Sequence, residues 1–220
     1  RGGSKRIPRK NIKLFDGKPM IEYAIEAALS SGLFDRVLVS TDDFQIAEIA
    51  KQCGASTPFF RPVELADDYT PTVPVIAHAI ESCEELGLNI TAACCIYPGV
   101  PFIQITDLRD AFELLETKRA GYVFPVTEYP TAIQRALKKD SSGTINPFFP
   151  KYELVRTQDL EVAYHDAGQF YWGWRDSWFK YSQIHSHGVG LPIPNWRVVD
   201  IDTIDDWDRA ESLHKVLNNK

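Results

Sequence analysis

RVLVSTDDFQIAEIAKQCG, residues 36–54, changes its hydrophobic period halfway along, and that change decides the fold class. RVLVST, 36–41, is a short β-branched run that reads as a buried parallel strand. Asp42 and Asp43 stand where a helix N-cap is expected, the helical period runs over 44–52, and Gly54 closes it. This is one βα unit, and the same rhythm extends to both sides. Toward the N-terminus, MIEYAIEAAL (20–29) puts Ile21, Ala24, Ile25 and Ala28 on one helical face, with Pro19 at the start and Gly32 at the end. Toward the C-terminus come a helix over TVPVIAHAIESCEELG (72–87), with Pro71 and Pro74 in its first turn, and a buried strand AACCIY (92–97). Thr106 and Asp107 then open the helix LRDAFELLE, and GYVFPVT (121–127) reads as a further strand.

The first 127 residues therefore read as βαβαβαβ. The expected fold is α/β: a doubly wound, mostly parallel, Rossmann-like sheet with helices on both faces, within a single domain spanning 1–220. In such sheets ligands bind beyond the carboxyl ends of the strands. Section 128–170 breaks the rhythm with Pro130, Pro147, Pro150 and the turn DSSG (140–143). It reads as a small β-rich insertion, a lid or a dimerisation arm, and an exposed Phe148–Phe149 pair would favour the arm. QFYWGW (169–174) returns to strand and a helix is expected over 177–183. VGLPI and RVVDID read as the last short strands, with a closing helix over 204–217.

Of 220 residues, 44% are hydrophobic and 25% charged, which is globular composition, and no apolar run is long enough for a membrane helix. The net charge of −6 argues against a nucleic-acid-binding surface. Its distribution is uneven. Residues 1–13 hold six of the 24 basic side chains and no acid, leaving 18 basic against 30 acidic side chains elsewhere. Cys53, Cys83, Cys94 and Cys95 form no CxxC pair and read as reduced thiols of a cytoplasmic protein. A glycine-rich anion loop normally follows a strand, so either a short apolar strand is expected ahead of Arg1 or the chain is a fragment.

Two stretches carry chemistry. In RGGSKRIPRKN, Gly2 and Gly3 let backbone amides approach an anion, Ser4 offers a hydroxyl, and Arg1, Lys5 and Lys10 supply charge for a polyphosphate. The spacing fits neither a Walker loop nor a dinucleotide fingerprint. In the DID element, Asp200 and Asp202 would share one face of a strand. Two adjacent carboxylates suit Mg²⁺ completed by substrate phosphates, although Asp202 or Thr203 could instead cap the closing helix. His185 and His187 form an HxH read as a surface turn, and His78 a structural histidine. Serine and cysteine nucleophiles lack their usual context.

RGGSKRIPRKN resembles the signature of the sialic acid (N-acylneuraminate) cytidylyltransferases. The resemblance continues through GKP, VLVSTDD, FRPVELADD, YHDAGQFYWG and the DID element, over nearly the whole chain. It implies that CTP and a nonulosonic acid sugar give a CMP-sugar and pyrophosphate, with Mg²⁺ on Asp200 and Asp202 and with Lys10 catalytic beside them. It further implies a nucleotide site of Arg1, Gly2, Gly3, Ser4, Lys5, Lys10, Asn11, Arg61, Thr70 and Thr72. Tyr97, Arg156, Gln158, Asp166 and Gln169 are implied on the sugar side, with the insertion forming a homodimer. YHDAGQFYWG and CCIYPGVPF resemble the branch that acts on pseudaminic acid, with Gly99-Val100 departing from the family pattern. The alternatives are sialic, legionaminic or another keto-sugar acid, or a non-catalytic binding homologue.

Overall fold

The computed structural model describes residues 1–218. A hairpin of β1 (Leu14–Phe15) and β2 (Lys18–Pro19) turns on Asp16 and Gly17, both at positive φ, and leads into α1 (Met20–Ser31). Gly32 closes α1 at φ 68°, and α2 (Phe44–Gln52) follows. Next come α3 (Thr72–Glu85), β3 (Ala92–Ile96), α4 (Ile105–Lys118) and β4 (Tyr122–Glu128). The chain continues with β5 (Leu137–Lys139), β6 (Ile145–Pro147), β7 (Tyr164–Asp166) and β8 (Phe170–Trp174). It ends with α5 (Arg175–Lys180), β9 (Gly188–Pro192) and α6 (Ile204–Asn218).

The α/β class and the helices on both faces follow from alternation along the strands. Val123, Phe170 and Trp172 pack with Leu108 and Leu115 of α4 and Ala24 of α1. Tyr122, Phe124 and Tyr171 point the other way, against Val73 and Ile80 of α3 and Trp178 of α5. Strand direction is more mixed than the rhythm implied. The sheet order is β3-β8-β4-β7, with β9 also on β4, and only the β4–β9 ladder is parallel. β8 returns from the 128–170 excursion and wedges between β3 and β4, so β3, β4 and β9 share a direction that β7 and β8 oppose. The excursion itself holds one short hairpin, β5 with β6, among 3₁₀ turns.

Two expected strands are not strands. Residues 36–41 make one isolated parallel bridge, Leu38 to Ser56. Val39 N donates to Ser56 O at 2.8 Å and Ser56 N to Val37 O at 2.9 Å, so Leu38 presents its backbone groups to the opposite side. RVVDID joins no strand ladder among the described residues. It is a 3₁₀ turn at Asn195–Arg197 followed by irregular chain up to α6. The expected helix at 177–183 lies earlier, as α5, and Gln104 rather than Thr106 or Asp107 holds the N-cap position of α4.

A cavity of about 1210 Å³ separates residues 37–41 from β3. Its inner part is apolar, lined by Ile21, Ala24 and Ile25 of α1 and by Val75, Ala79 and Ile80 of α3. Tyr97 N donates to Gln169 O and Arg175 N to Thr91 O, so alternation turns the backbone groups of Ala92, Cys94 and Ile96 toward this cavity. All five β3 residues are only half-buried. Two extended segments, residues 37–41 and β3, thus line the cavity between two helix faces.

Asp43 shows how α2 is set. Its carboxylate accepts Ile46 N at 3.0 Å and receives the Arg9 guanidinium, Nη2 to Oδ1 at 3.0 Å. Those contacts, that to Arg9 foremost, hold its pKa below the ordinary 3.8. Asp43→Ala should cost about 1–2 kcal/mol, read as a lower urea midpoint at pH 7. Because the folded pKa is depressed, the gap between variant and wild type persists above about pH 4 and closes as the pH falls through the folded value. An undiminished gap at lower pH would assign the loss to something other than the carboxylate.

Candidate functional site

The opening loop is held from below by a buried anchor. Ile7 is 1% exposed and packs with Phe15, Phe102, Ile201 and Trp207, which joins the loop to the segment before α6. Arg9 adopts a left-handed conformation, φ 57°, and spends its guanidinium on Asp43 and Gln45. This turn aims Lys10 into the molecule, where Nζ donates to Ile201 O at 2.7 Å and stands 3.8 Å from Asp202 Oδ1. Asn11 Nδ2 donates to Arg1 O at 3.2 Å, and Gly2 N donates to Asp42 Oδ1 at 2.9 Å. Gly2 has no substitute here: a Cβ would lie 2.6 Å from Asp43 Oδ2.

Arg1, Lys5, Arg6 and Arg9 each have a carboxylate partner, while Lys13 lies over the Trp207 ring. Asp68 bridges Arg1 and Lys5, and Arg6 Nη2 lies 2.8 Å from Asp202 Oδ1. Arg6 and Asp68 are thus contributors to the site that motif reading passed over. Only the 1–13 charge run pointed to Arg6, and the spacing of Asp68 carries no signal. These contacts are solvent-exposed, so they are weak and readily exchanged for a ligand.

The DID carboxylates sit where the loop meets the chain's last irregular segment. Helix capping does not claim Asp202. Thr203 takes that role, its Oγ1 accepting Asp206 N at 3.2 Å while Asp206 Oδ2 accepts Thr203 N at 2.9 Å, a reciprocal box. Asp202 lines the large cavity. Asp200, exposed, lines a second cavity of about 460 Å³ with His165, Asp166, Gly168 and Val199. Lys10, Asn11, Tyr97 and Pro98 line both cavities and form the boundary between them. Among the described residues no group of three or more His, Cys, Asp and Glu side chains converges on a metal position. Two carboxylates beside a basic, glycine-bearing loop nevertheless fit Mg²⁺, which takes one or two carboxylates and completes its shell with other oxygens and water.

Other expected residues divide into two groups. Arg61, Thr70 and Thr72 line the polar mouth of the large cavity together with Arg1, Gly3, Ser4 and Lys5. Arg61 Nη2 donates to Ser40 O at 2.7 Å, and burial lowers its pKa. Thr72 Oγ1 and Tyr97 OH lie 2.7 Å apart, and Thr70 Oγ1 donates to Asp67 Oδ1 at 2.7 Å. Asp166 braces its turn, accepting Gly168 N at 2.7 Å, Tyr171 OH at 2.9 Å and lying 2.6 Å from His185 Nε2. Gln169 is 4% exposed and donates to Arg197 O at 2.9 Å. Arg156 and Gln158 stand apart, exposed on the excursion, with Arg156 paired to Asp159 and neither lining either cavity. His187 stacks on Tyr181 at 4.0 Å, so the HxH is a surface turn with its rings in use.

A family model described as cytidylyltransferase matches residues 1–185. A pseudaminic acid cytidylyltransferase of Campylobacter jejuni is 42% identical over 98% of this chain and 94% of its own. A CMP-N,N'-diacetyllegionaminic acid synthase of Legionella pneumophila is 30% identical over 97% and 92%. The solved structure of CMP:2-keto-3-deoxy-manno-octonic acid synthetase complexed with CTP superposes with a TM-score of 0.71 over 97% of this chain and 94% of that one. At 16% identity it speaks for the fold alone.

The four thiols are free, and burial raises the pKa of each, Cys53 to about 11 and Cys95 to about 12. At pH 8 the native protein should react with a disulfide reagent roughly 100-fold more slowly than an open thiol, and the denatured chain should titrate all four. Fast labelling of Cys94 or Cys95 in the native state would contradict this.

Proposed function

The chain belongs to the cytidylyltransferase family, and from that premise we propose that it transfers CMP from CTP to the anomeric hydroxyl of pseudaminic acid, releasing pyrophosphate. One observation carries the reading. Two cavities meet at Lys10, Asn11, Tyr97 and Pro98, with Asp202 on one side and Asp200 on the other. A transfer between two substrates needs such a boundary, since orientation across it replaces a bimolecular encounter. The higher identity to the Campylobacter jejuni relative favours pseudaminic acid as the acceptor, and the lower identity to the Legionella pneumophila relative makes legionaminic acid the less favoured one.

CTP takes the polar mouth of the large cavity, with its base beside Arg61, Thr70 and Thr72. The Gly3 amide and the Ser4 hydroxyl give donors to the triphosphate, the Gly2 amide is held by Asp42, and Asn11 holds the loop closed through Arg1 O. Phosphate oxygens replace Asp68 on Arg1 and Lys5, and replace Asp202 on Arg6. Lys10 stays at the boundary, where its ammonium neutralises the phosphoryl group under attack. The sugar occupies the small cavity, walled by Tyr97 and by the turn that Asp166 braces, with Gln169 behind that wall. Asp200 and Asp202 would hold Mg²⁺, which when bound polarises the α-phosphoryl group and lowers the pKa of the attacking hydroxyl. The protein needs no nucleophile of its own.

Four free thiols fit a reducing compartment such as the cytoplasm, which is the location this reading favours. Among the described residues no helix is long and apolar enough to cross a membrane. Phe148, 57% exposed, and Phe149, 42% exposed, accompany Leu137 and Ile145 on the excursion, which suits a second copy of the chain. In a homodimer, Arg156 and Gln158 would serve the sugar site of the partner copy.

The test is pyrophosphate release from CTP and Mg²⁺ with pseudaminic, legionaminic and N-acetylneuraminic acids, with and without EDTA. Release that requires metal and prefers pseudaminic acid is expected, and CTP binding without release on any acceptor would overturn the reading. Asp202→Asn should lose about 100-fold or more in turnover while still binding CTP. Lys10→Ala should weaken CTP binding about 10-fold or more, the loss of one charge-assisted hydrogen bond. Phe148→Asp with Phe149→Asp should sediment as a monomer if the excursion is a dimer arm. An unchanged dimer would remove that role from it.

A further inference from the structure

Asp200 and Asp202 lie on a segment that belongs to no strand or helix, so ladder pairing does not hold it in place. Its two ends are fixed by other means. At the far end Ile201 is 2% exposed against Ile7 and Trp207, and its carbonyl takes the Lys10 hydrogen bond. At the near end Arg197 sends Nη1 to Asp107 Oδ2 at 2.5 Å, a partner 90 residues away in the first turn of α4. The side chains are 12% and 9% exposed, which makes this the most enclosed pair involving an arginine among the described ion pairs. The carbonyl of Arg197 accepts Gln169 Nε2 at 2.9 Å, and Gln169 O accepts Tyr97 N at 2.9 Å. Arg197 is thereby tied both to α4 and to the residue following β3, the same Tyr97 that borders both cavities.

We propose that Arg197 and Asp107 are positioning residues for the DID carboxylates, fixing residue 197 so that Asp200 and Asp202 reach the boundary between the cavities in one geometry. The inference rests on the reading of that boundary as the site of transfer. Stability alone does not explain the pair. Enclosed ion pairs commonly add little over an apolar pair of equal volume, and specifying one arrangement is their better-attested use. Asp107 lies at a helix N-terminal turn, where a carboxylate is favoured, and the guanidinium bonds it while its backbone carbonyl serves Gln169. Arg197 therefore fixes side chain and main chain at one point, three residues before Asp200.

Asp107→Asn tests this in the full chain, with Arg197→Lys as the variant that keeps the cation. Four quantities are read: thermal midpoint, CTP affinity without divalent cation, Mn²⁺ affinity in the presence of CTP by electron paramagnetic resonance, and amide exchange over 198–202. The expected result for Asp107→Asn is CTP affinity within about twofold of wild type, Mn²⁺ affinity down about 10-fold or more, and faster exchange over 198–202 with α4 unchanged. Turnover should fall with kcat while the KM for the acceptor stays put, and Arg197→Lys should fall between wild type and Asp107→Asn. A lower thermal midpoint with Mn²⁺ affinity, exchange and kcat unchanged would overturn the proposal and leave a purely structural pair. If wild type releases no pyrophosphate with any acceptor, the transfer reading fails, while the Mn²⁺ and exchange results still decide the role of the pair.

Discussion

The hydrogen bond from Lys10 Nζ to the carbonyl of Ile201 spans 191 residues and joins the first loop of the chain to its last. The two cavities lie on either side of it. Ile7 and Ile201 share one apolar cluster, so burial brings the two segments together before any charge interaction acts. The ammonium then stands between the polar mouth of the larger cavity and the smaller cavity. Remove the apolar anchor and the carboxylates of residues 200 and 202 would have no fixed relation to the basic loop.

Charge balance gives the site its second property. A loop with six cations and no acid would repel itself if left bare. Asp43 neutralises Arg9, Asp68 neutralises Arg1 and Lys5, and Asp202 neutralises Arg6. The Asp43 pair is structural, because the same carboxylate caps α2. The Asp68 and Asp202 pairs are exposed and weak, so a triphosphate arriving at the loop would displace them at small cost. Binding is then an exchange of anions on an ordered loop, and little new order has to be created.

How far the sequence made this legible varies by element. α1, α2 and α3 were readable because their buried faces follow the helical period and because Gly32, Asp43, Gly54 and Pro71 mark their ends. β3, β4 and β8 were readable as apolar runs, but their directions were not. An antiparallel return by β8 leaves the same buried run as a parallel crossover would. RVLVST looked like a strand because β-branched residues report burial and extension, whereas a ladder depends on a neighbouring strand that the run itself does not describe. RVVDID misled for a related reason: its alternation is met by packing of Ile201 and by the Arg197–Asp107 pair, neither of which leaves a local pattern. The basic loop and the DID element were legible as chemistry. That Asp200 and Asp202 border different cavities was not, since it depends on contacts across most of the chain. Arg156 and Gln158, expected at the sugar, lie exposed on the excursion outside both cavities, since local residue type does not say how that excursion is placed.

In the proposed transfer, nucleotide and acceptor would meet at Lys10 with both aspartates in reach of a shared cation. Crystals grown with CTP and Mn²⁺ test it most directly, through the anomalous signal of the metal. The account predicts one peak between the carboxylates of Asp200 and Asp202, with the triphosphate on the Arg1–Lys5 side of Lys10 and the small cavity left to the sugar. A metal held by Asp42, Asp67 or Asp68, or a triphosphate lying away from Lys10, would contradict it.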